Sequence, residues 1–310
     1  MTGSLLLPFF GLLAFLGSAV AAPAASAATN KTSASIAPKA MSLTSTLIYD
    51  LDNIGIAAPT VTSKSGVKVT SDIYIVDMAG HSAAQIAAYK AAGKTVVCYF
   101  SAGTLEPFRA DATKFNPVCA CGPGGKLDSN KHCVGGSGKT KMDDWDEYWL
   151  DIHSATCKTN VQSVMTQRIK DAKAKGCDGM DPDNVDSYAN GAPYGNTQAD
   201  QVEYLLWLAK TVRAAGMIVD LKNSADLLQS KSAASLISAF DFSVIESCHQ
   251  YNECDAYSGF TKAGKPQIQI EYSNSIKKCP TLKAGQNLAV YKGLVLNSKD
   301  ITLNCRGPRA

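Results

Sequence analysis

Eight short β-rich runs, separated by amphipathic stretches of helical length, restrict the folds open to this chain more than any other feature. The runs are Leu47–Leu51, Ile73–Asp77, Thr95–Phe100, Asp178–Asp181, Met217–Lys222, Phe242–Glu246, Gln267–Tyr272 and Ala289–Leu296. Between them lie helix-like segments such as Ser82–Ala92, Asn160–Lys175, Thr197–Ala215 and Ser224–Ala239. Gly93, Gly176 and Gly216 follow the first three, each suited to a left-handed helix end. Strands alternating with helices imply a parallel sheet. Eight such units in roughly 265 residues predict one (β/α)8 barrel of the TIM type, whose usual size is about 250 residues. An open nucleotide-binding sheet is disfavoured, because Asp52-Asn53-Ile54-Gly55 follows the first strand and neither GxGxxG nor GxxxxGK[ST] occurs.

The barrel rule gives the acidic residues meaning. In such barrels the active site lies at the C-terminal ends of the strands. Asp77 closes the second run and Glu106 follows the third. The fourth leads into Asp181-Pro182-Asp183-Asn184-Val185-Asp186, Lys222-Asn223 ends the fifth, Glu246 the sixth, and Glu271-Tyr272 the seventh. Asp and Asn commonly begin turns and cap helices, an adequate account of Asp186. Glu caps poorly, so Glu246 and Glu271 after β-like runs ask for another explanation. Paired carboxylates across a bond are what glycoside hydrolysis requires, one protonating the leaving oxygen and the other attacking or activating water. Competing chemistries lack their signatures: there are four histidines, no G-x-S-x-G and no HExxH.

The remaining features concern compartment and partners. An apolar run from Leu5 to Leu16, followed by small residues, predicts a secretory leader over 1–27, although no Lys or Arg precedes it. Residues 28–46 read as a disordered Ser/Thr/Ala-rich linker carrying the sequon Asn30-Lys31-Thr32, and 47–310 as the hydrolase domain. Ten cysteines fit an oxidising compartment. Three of them (Cys119, Cys121, Cys133) lie in a Gly/Cys-rich insertion after the third strand, whose spacing with His132 is not that of a zinc finger. Local disulfides Cys248–Cys254 and Cys279–Cys305 are expected, and no metal or cofactor. A net charge of +3 without a basic block argues against nucleic acid. No second stretch has transmembrane length, so a monomer free of the membrane after leader cleavage is expected.

At the strand-end residues the chain resembles glycoside hydrolase family 114, fungal and bacterial endo-α-1,4-polygalactosaminidases. The similarity runs through Val97-Cys98-Tyr99-Phe100-Ser101-Ala102-Gly103, then Glu106, Arg109 and Asp111, Trp149-Leu150-Asp151-Ile152, and Gly179 to Asp186. Leu221-Lys222-Asn223, Glu246-Ser247-Cys248 with Cys254, and Ile270-Glu271-Tyr272 complete it. The resemblance implies cleavage of α-1,4-linked galactosamine polymer with Asp183 and Glu246 as the catalytic pair. It places Asp77, Glu106, Asp151, Asp181, Lys222, Asn223, Glu271 and Tyr272 against the substrate. Asp181 and Asp183 share a strand face, so either is open to the catalytic role. A polysaccharide-binding protein without activity is the alternative, with aromatics such as Tyr74, Trp145, Trp149, Tyr251 and Tyr272 stacking on sugars. A wall-associated structural protein leaves the row of strand-end acids unexplained. Leu47–Leu51 departs from the family pattern, holding only Tyr49 where the family often has tryptophan.

Overall fold

The computed structural model describes residues 41–52, 58–272 and 276–308. The expected leader and most of the linker therefore lie outside the described residues. The linker's last residues are part of the body: Ser45 and Thr46 are buried, and Thr46 donates from its N–H and Oγ1 to the Asp72 carboxylate at 3.0 and 2.9 Å.

Nine strands form one sheet: β1 (Leu47–Tyr49), β2 (Ile73–Asp77), β3 (Thr95–Ser101), β4 (Gly179–Asp183), β5 (Ile218–Lys222), β6 (Phe242–Glu246), β7 (Gln267–Tyr272), β8 (Gln286–Tyr291) and β9 (Ile301–Arg306). They are paired in that order, β1 to β8 in parallel and β9 antiparallel on β8. The sheet curls until β8 meets β1. Asn287 on β8 donates to the Ser45 carbonyl at 3.0 Å, and the Tyr291 hydroxyl donates to the Tyr49 carbonyl at 2.8 Å and accepts from the Tyr49 N–H. Beyond the strands, the Leu51 N–H donates to the Leu296 carbonyl at 2.7 Å. Two side chains of β8 thus bond backbone groups of Tyr49 and Ser45 where a ladder would otherwise stand.

The eighth strand ends earlier than its apolar run, at Tyr291 rather than Leu296, and β9 was not anticipated. Ile301-Thr302-Leu303-Asn304-Cys305 alternates in the manner of a half-buried strand, and the Cys279–Cys305 disulfide ties it down. β4 extends two residues further than expected, so Asp183 stands within the strand.

The long helices are α1 (Ala83–Ala91), α2 (Ala155–Lys175) and α3 (Gln198–Ala214), with shorter α4 (Ala233–Ala239) and α5 (Ser258–Lys262). Ser82 and Thr197 form capping boxes at α1 and α3, and Gly176 ends α2 at φ 95°. The segment between Ser224 and Ala239, expected as one helix, begins instead with a 3-10 turn and forms α4 only from Ala233. All ten cysteines are paired: Cys98–Cys177, Cys119–Cys157, Cys121–Cys133, Cys248–Cys254 and Cys279–Cys305. The two local pairs read from the sequence are among them. The insertion after β3 is stapled internally by one bridge and to α2 by another. Among the described residues, no helix is long and apolar enough to cross a membrane.

Gly103 is the one glycine whose lack of a side chain the site depends on. A Cβ there would stand 1.7 Å from the carbonyl oxygen of Asn184, directly after β4. Gly103→Ala is expected to destabilise the protein by about 1–3 kcal/mol in denaturant unfolding and to lower activity by displacing Asn184. Unaltered stability and activity would contradict this account.

Candidate active site

Three consecutive strands end in a functional side chain followed by a residue in the left-handed region: Asp183 then Asn184 (φ 58°), Lys222 then Asn223 (φ 35°), and Glu246 then Ser247 (φ 56°). Asn tolerates this backbone better than most residues. The turn leads the chain away from the sheet immediately after the side chain that faces the interior.

Those three side chains meet. Lys222 Nζ lies 3.0 Å from Asp183 Oδ1 and 3.1 Å from Glu246 Oε2, and is almost wholly buried. Burial works against its charge, but Asp183, Glu246 and Asp181 together outweigh that and raise its pKa well above the usual range. Its ammonium also lies 5.3 Å from the Tyr49 ring centroid. Tyr99 donates to Asp183 Oδ2 at 3.1 Å. Glu246 accepts from Asn223 Nδ2 at 2.6 Å and from the Tyr272 hydroxyl, while its own N–H donates to Asn223 Oδ1. Both carboxylates line a cavity of about 180 Å³ with Tyr99, Trp145, Glu147, Asn184, Asp186, Lys222, Asn223 and Tyr272 on its wall. Four acids and one lysine make the lining net negative.

The period of two along each strand sorts the expected residues by depth. Asp181, two residues before Asp183, is fully buried below the cavity and accepts from the Tyr49 hydroxyl at 2.9 Å. Asp183, not Asp181, reaches the opening. Asp220, two residues before Lys222, is likewise fully buried and was not anticipated. If both were ionised, Asp181 Oδ2 and both Asp220 oxygens would lack a donor. Burial, then the charge of Asp181, pushes Asp220 well up, and burial pushes Asp181 to about 6. A proton held on Asp220 therefore supplies the missing donor.

The other expected residues have different tasks. Asp77 takes a two-pronged grip from Arg109, at 2.9 and 2.5 Å, and Glu106 accepts from Arg109 Nε at 2.9 Å. Asp151 closes the turn leading into α2, accepting from the N–H groups of His153 and Ser154. Glu271, adjacent to Tyr272 on a strand, faces the opposite side and accepts from the His249 N–H at 2.8 Å. None of these four lines the cavity, whereas Asp183, Lys222, Asn223, Glu246 and Tyr272 do.

Three cavity acids or their partners escaped the sequence reading. Tyr99 was legible from alternation on β3, where it pairs with Asp181 in register. Asp186 does begin a turn, with its carbonyl accepting from the Ala189 N–H, yet it also lines the cavity, and burial followed by the charge of Asp183 raises it to about 6. Glu147 comes from the irregular insertion and carries no periodic signal. Burial pushes it to about 7, opposed by a hydrogen bond from Thr104 and reinforced by Glu106 and Asp183.

Partly buried carboxylates around a cleft at strand ends, two of them bridged by a lysine, are an arrangement suited to glycoside hydrolysis. The chain belongs to glycoside hydrolase family GH114, whose model matches residues 25–304. Among solved structures it is similar to Ega3 of Aspergillus fumigatus in complex with galactosamine, at 32% identity and TM-score 0.65, over 85% of this chain and 96% of that one. The glycoside hydrolase domain of PelA from Pseudomonas aeruginosa shares the fold at 13% identity and TM-score 0.53, over 84% of this chain and 98% of that one. None of the curated proteins compared matches the chain.

The buried acid pair yields a pH prediction. Both folded pKa values lie above the ordinary unfolded value of about 3.9, so the native state binds these protons more tightly. The stability they contribute is complete below about pH 4 and is lost as pH rises toward and past 6. Asp220→Asn keeps a donor for Asp181 and removes the second acid. Its stability relative to the parent should rise by about 1–3 kcal/mol between pH 4 and 8 in denaturant titrations. A difference that does not vary with pH would exclude the shared-proton arrangement.

Proposed function

We propose that this protein is a secreted hydrolase cleaving α-1,4-galactosaminidic bonds within galactosamine-containing polysaccharide, with Asp183 and Glu246 as the two catalytic carboxyl groups. The observation that carries the reading is their joint hold on Lys222 at the cavity floor. The resemblance to Ega3, solved with galactosamine, supports the sugar class. So does the lining charge: a polymer bearing ammonium groups is drawn to a cleft of four acids and one lysine. Five disulfides support an oxidising compartment, consistent with a leader over 1–27, a linker over 28–46 and a closed (β/α)8 domain from Leu47 onward acting as a monomer.

The spacing of the pair is compatible with the retaining course, which we take as part of the proposal. Two oxygens that each lie near 3 Å from the same nitrogen are no more than about 6 Å apart. Retaining enzymes place the carboxyl groups about 5–5.5 Å apart and inverting ones about 6.5–9.5 Å. In the retaining course one carboxylate attacks the anomeric carbon while the other protonates the departing oxygen, then takes a proton from the incoming water. Tyr272 and Asn223 hold Glu246 by two hydrogen bonds, and Tyr99 orients Asp183. Such positioning keeps reactive groups in line.

The test is cleavage of purified α-1,4-linked galactosamine polymer. Asp183→Asn and Glu246→Gln should each lower kcat by about 1000-fold or more, with the first-formed product of the parent enzyme an α-anomer by NMR. Rates should fall with added salt as the cleft is screened. Full cleavage by either variant removes that residue from catalysis, and a β-anomer overturns retention.

A further inference from the structure

Trp145 and Glu147 stand two residues apart on the insertion after β3, and both line the cavity that holds Asp183 and Glu246. The segment is held firmly. Met142 N–H donates to the Glu147 carbonyl at 2.9 Å, Trp149 N–H to the Thr140 carbonyl at 2.8 Å, and Tyr148-Trp149 pairs antiparallel with Thr104-Leu105. Asp146, between the two residues, is anchored by Lys141 at 2.8 Å and by His132 at 2.9 Å. Trp145 is nonetheless 47% exposed, and its side chain forms the wall shared with a second depression of about 450 Å³. An indole held in the open between two confluent hollows is a platform for a ring passing from one to the other.

Glu147 has the opposite character. It is 7% exposed, and Oε2 accepts from Thr104 Oγ1 and from Asn184 Nδ2 at 3.1 Å. Both of these bonds go to Oε2, and the residue stands on the cavity wall, which leaves Oε1 for a group entering the cavity. A carboxylate oriented through one oxygen and open at the other is an acceptor in want of a donor.

We propose that Trp145 and Glu147 form a recognition site for one 2-amino sugar of the chain, the indole stacking on its ring and Glu147 Oε1 receiving its ammonium. This rests on the polysaccharide-cleaving reading above and names what selects the free amine. Burial raises Glu147 to about 7, and an ammonium brought to it supplies both the charge that favours its ionised form and the donors that a carboxylate removed from water accepts most strongly. An N-acetyl group brings no charge and adds bulk, leaving that carboxylate uncompensated. The second depression, with Asp143, Asp144 and Asn190 on its wall, shares Trp145 with the cavity.

The experiment compares kcat/KM on a fully deacetylated α-1,4-galactosamine oligomer with that on its N-acetylated counterpart, for the parent, Glu147→Gln and Trp145→Ala. Glu147→Gln should lower the preference for the deacetylated oligomer by about tenfold, the worth of one charge-assisted hydrogen bond, mainly through KM. Trp145→Ala should raise KM on both oligomers alike. If the acetylated oligomer is cut by neither form, calorimetric dissociation constants supply the same ratio. Thermal melts accompany the assay. A Glu147→Gln variant that loses activity equally on both oligomers, with or without a lower Tm, acts only through Asn184 and Thr104 and overturns the recognition role. An active parent whose preference survives Glu147→Gln overturns this site alone, whereas a parent inactive on both oligomers overturns the activity reading and the site together.

Discussion

The Lys222 ammonium, buried between Asp183 and Glu246, is the interaction on which the rest of the site depends. Two carboxylates within about 6 Å of each other repel strongly where water is scarce. A single cation between them allows both to be held close without forcing one to take up a proton permanently. The cation itself survives burial only because acids surround it, Asp183 and Glu246 beside it and Asp181 below. A buried charge without partners costs several kcal/mol. Neither the lysine nor the pair is therefore tenable alone, and replacing one member changes the ionisation of all three.

This constraint extends one layer down. Since Lys222 is held by two acids above, Asp181 and Asp220 beneath it cannot both be charged, and the pair retains a proton between them. Tyr49 serves that layer twice, donating to Asp181 and placing its ring under the lysine. On β4 and β5 the interior side thus carries two polar levels, Asp183 with Lys222 above Asp181 with Asp220. Apolar packing is assigned to the other face of the same strands: Met180, Val219, Leu221 and Ile245 are all buried there. The period of two along β4 and β5 separates the two roles.

That periodicity also decides what was legible beforehand. The eight parallel strands stood out because their runs are β-rich and bounded by helix-capping residues, and the cavity residues at the ends of β4 to β7 followed from their place on those strands. What failed was the treatment of every strand-end acid as equivalent. Glu271 next to Tyr272 had to face away, by alternation alone. Asp77 and Glu106 could have been paired in advance with Arg109, which stands three residues after Glu106 and has the charge to satisfy both. Asp151 lies just ahead of a helix, where a short acid commonly closes a turn on the following N–H groups. Asp220 was readable from Lys222 by stepping back two residues, as Asp181 is from Asp183. β9 escaped because its alternation is short and follows a stretch already taken as strand.

Glu147 and Trp145 were less legible for a different reason. They sit in a segment with no strand or helix period, positioned by Gly turns, two disulfides and the pairing of Tyr148-Trp149 with Thr104-Leu105. Their direction is a tertiary fact. Strand ends supply a reactive centre whose geometry the sheet enforces, and a site on rigid elements is more accurately held than one on loops. The insertion reaches similar rigidity by cross-linking: Cys119–Cys157 fastens it to α2 and Cys121–Cys133 closes it on itself. Asn184 joins the two systems, because its left-handed backbone follows Asp183 while its amide holds Ser101 and Glu147. The loop's carboxylate is therefore positioned by the same turn that presents the strand's carboxylate. The sheet alone would present Asp183 and Glu246 without Trp145 or Glu147 beside them, so the proposed discrimination between sugars depends on the stapled insertion.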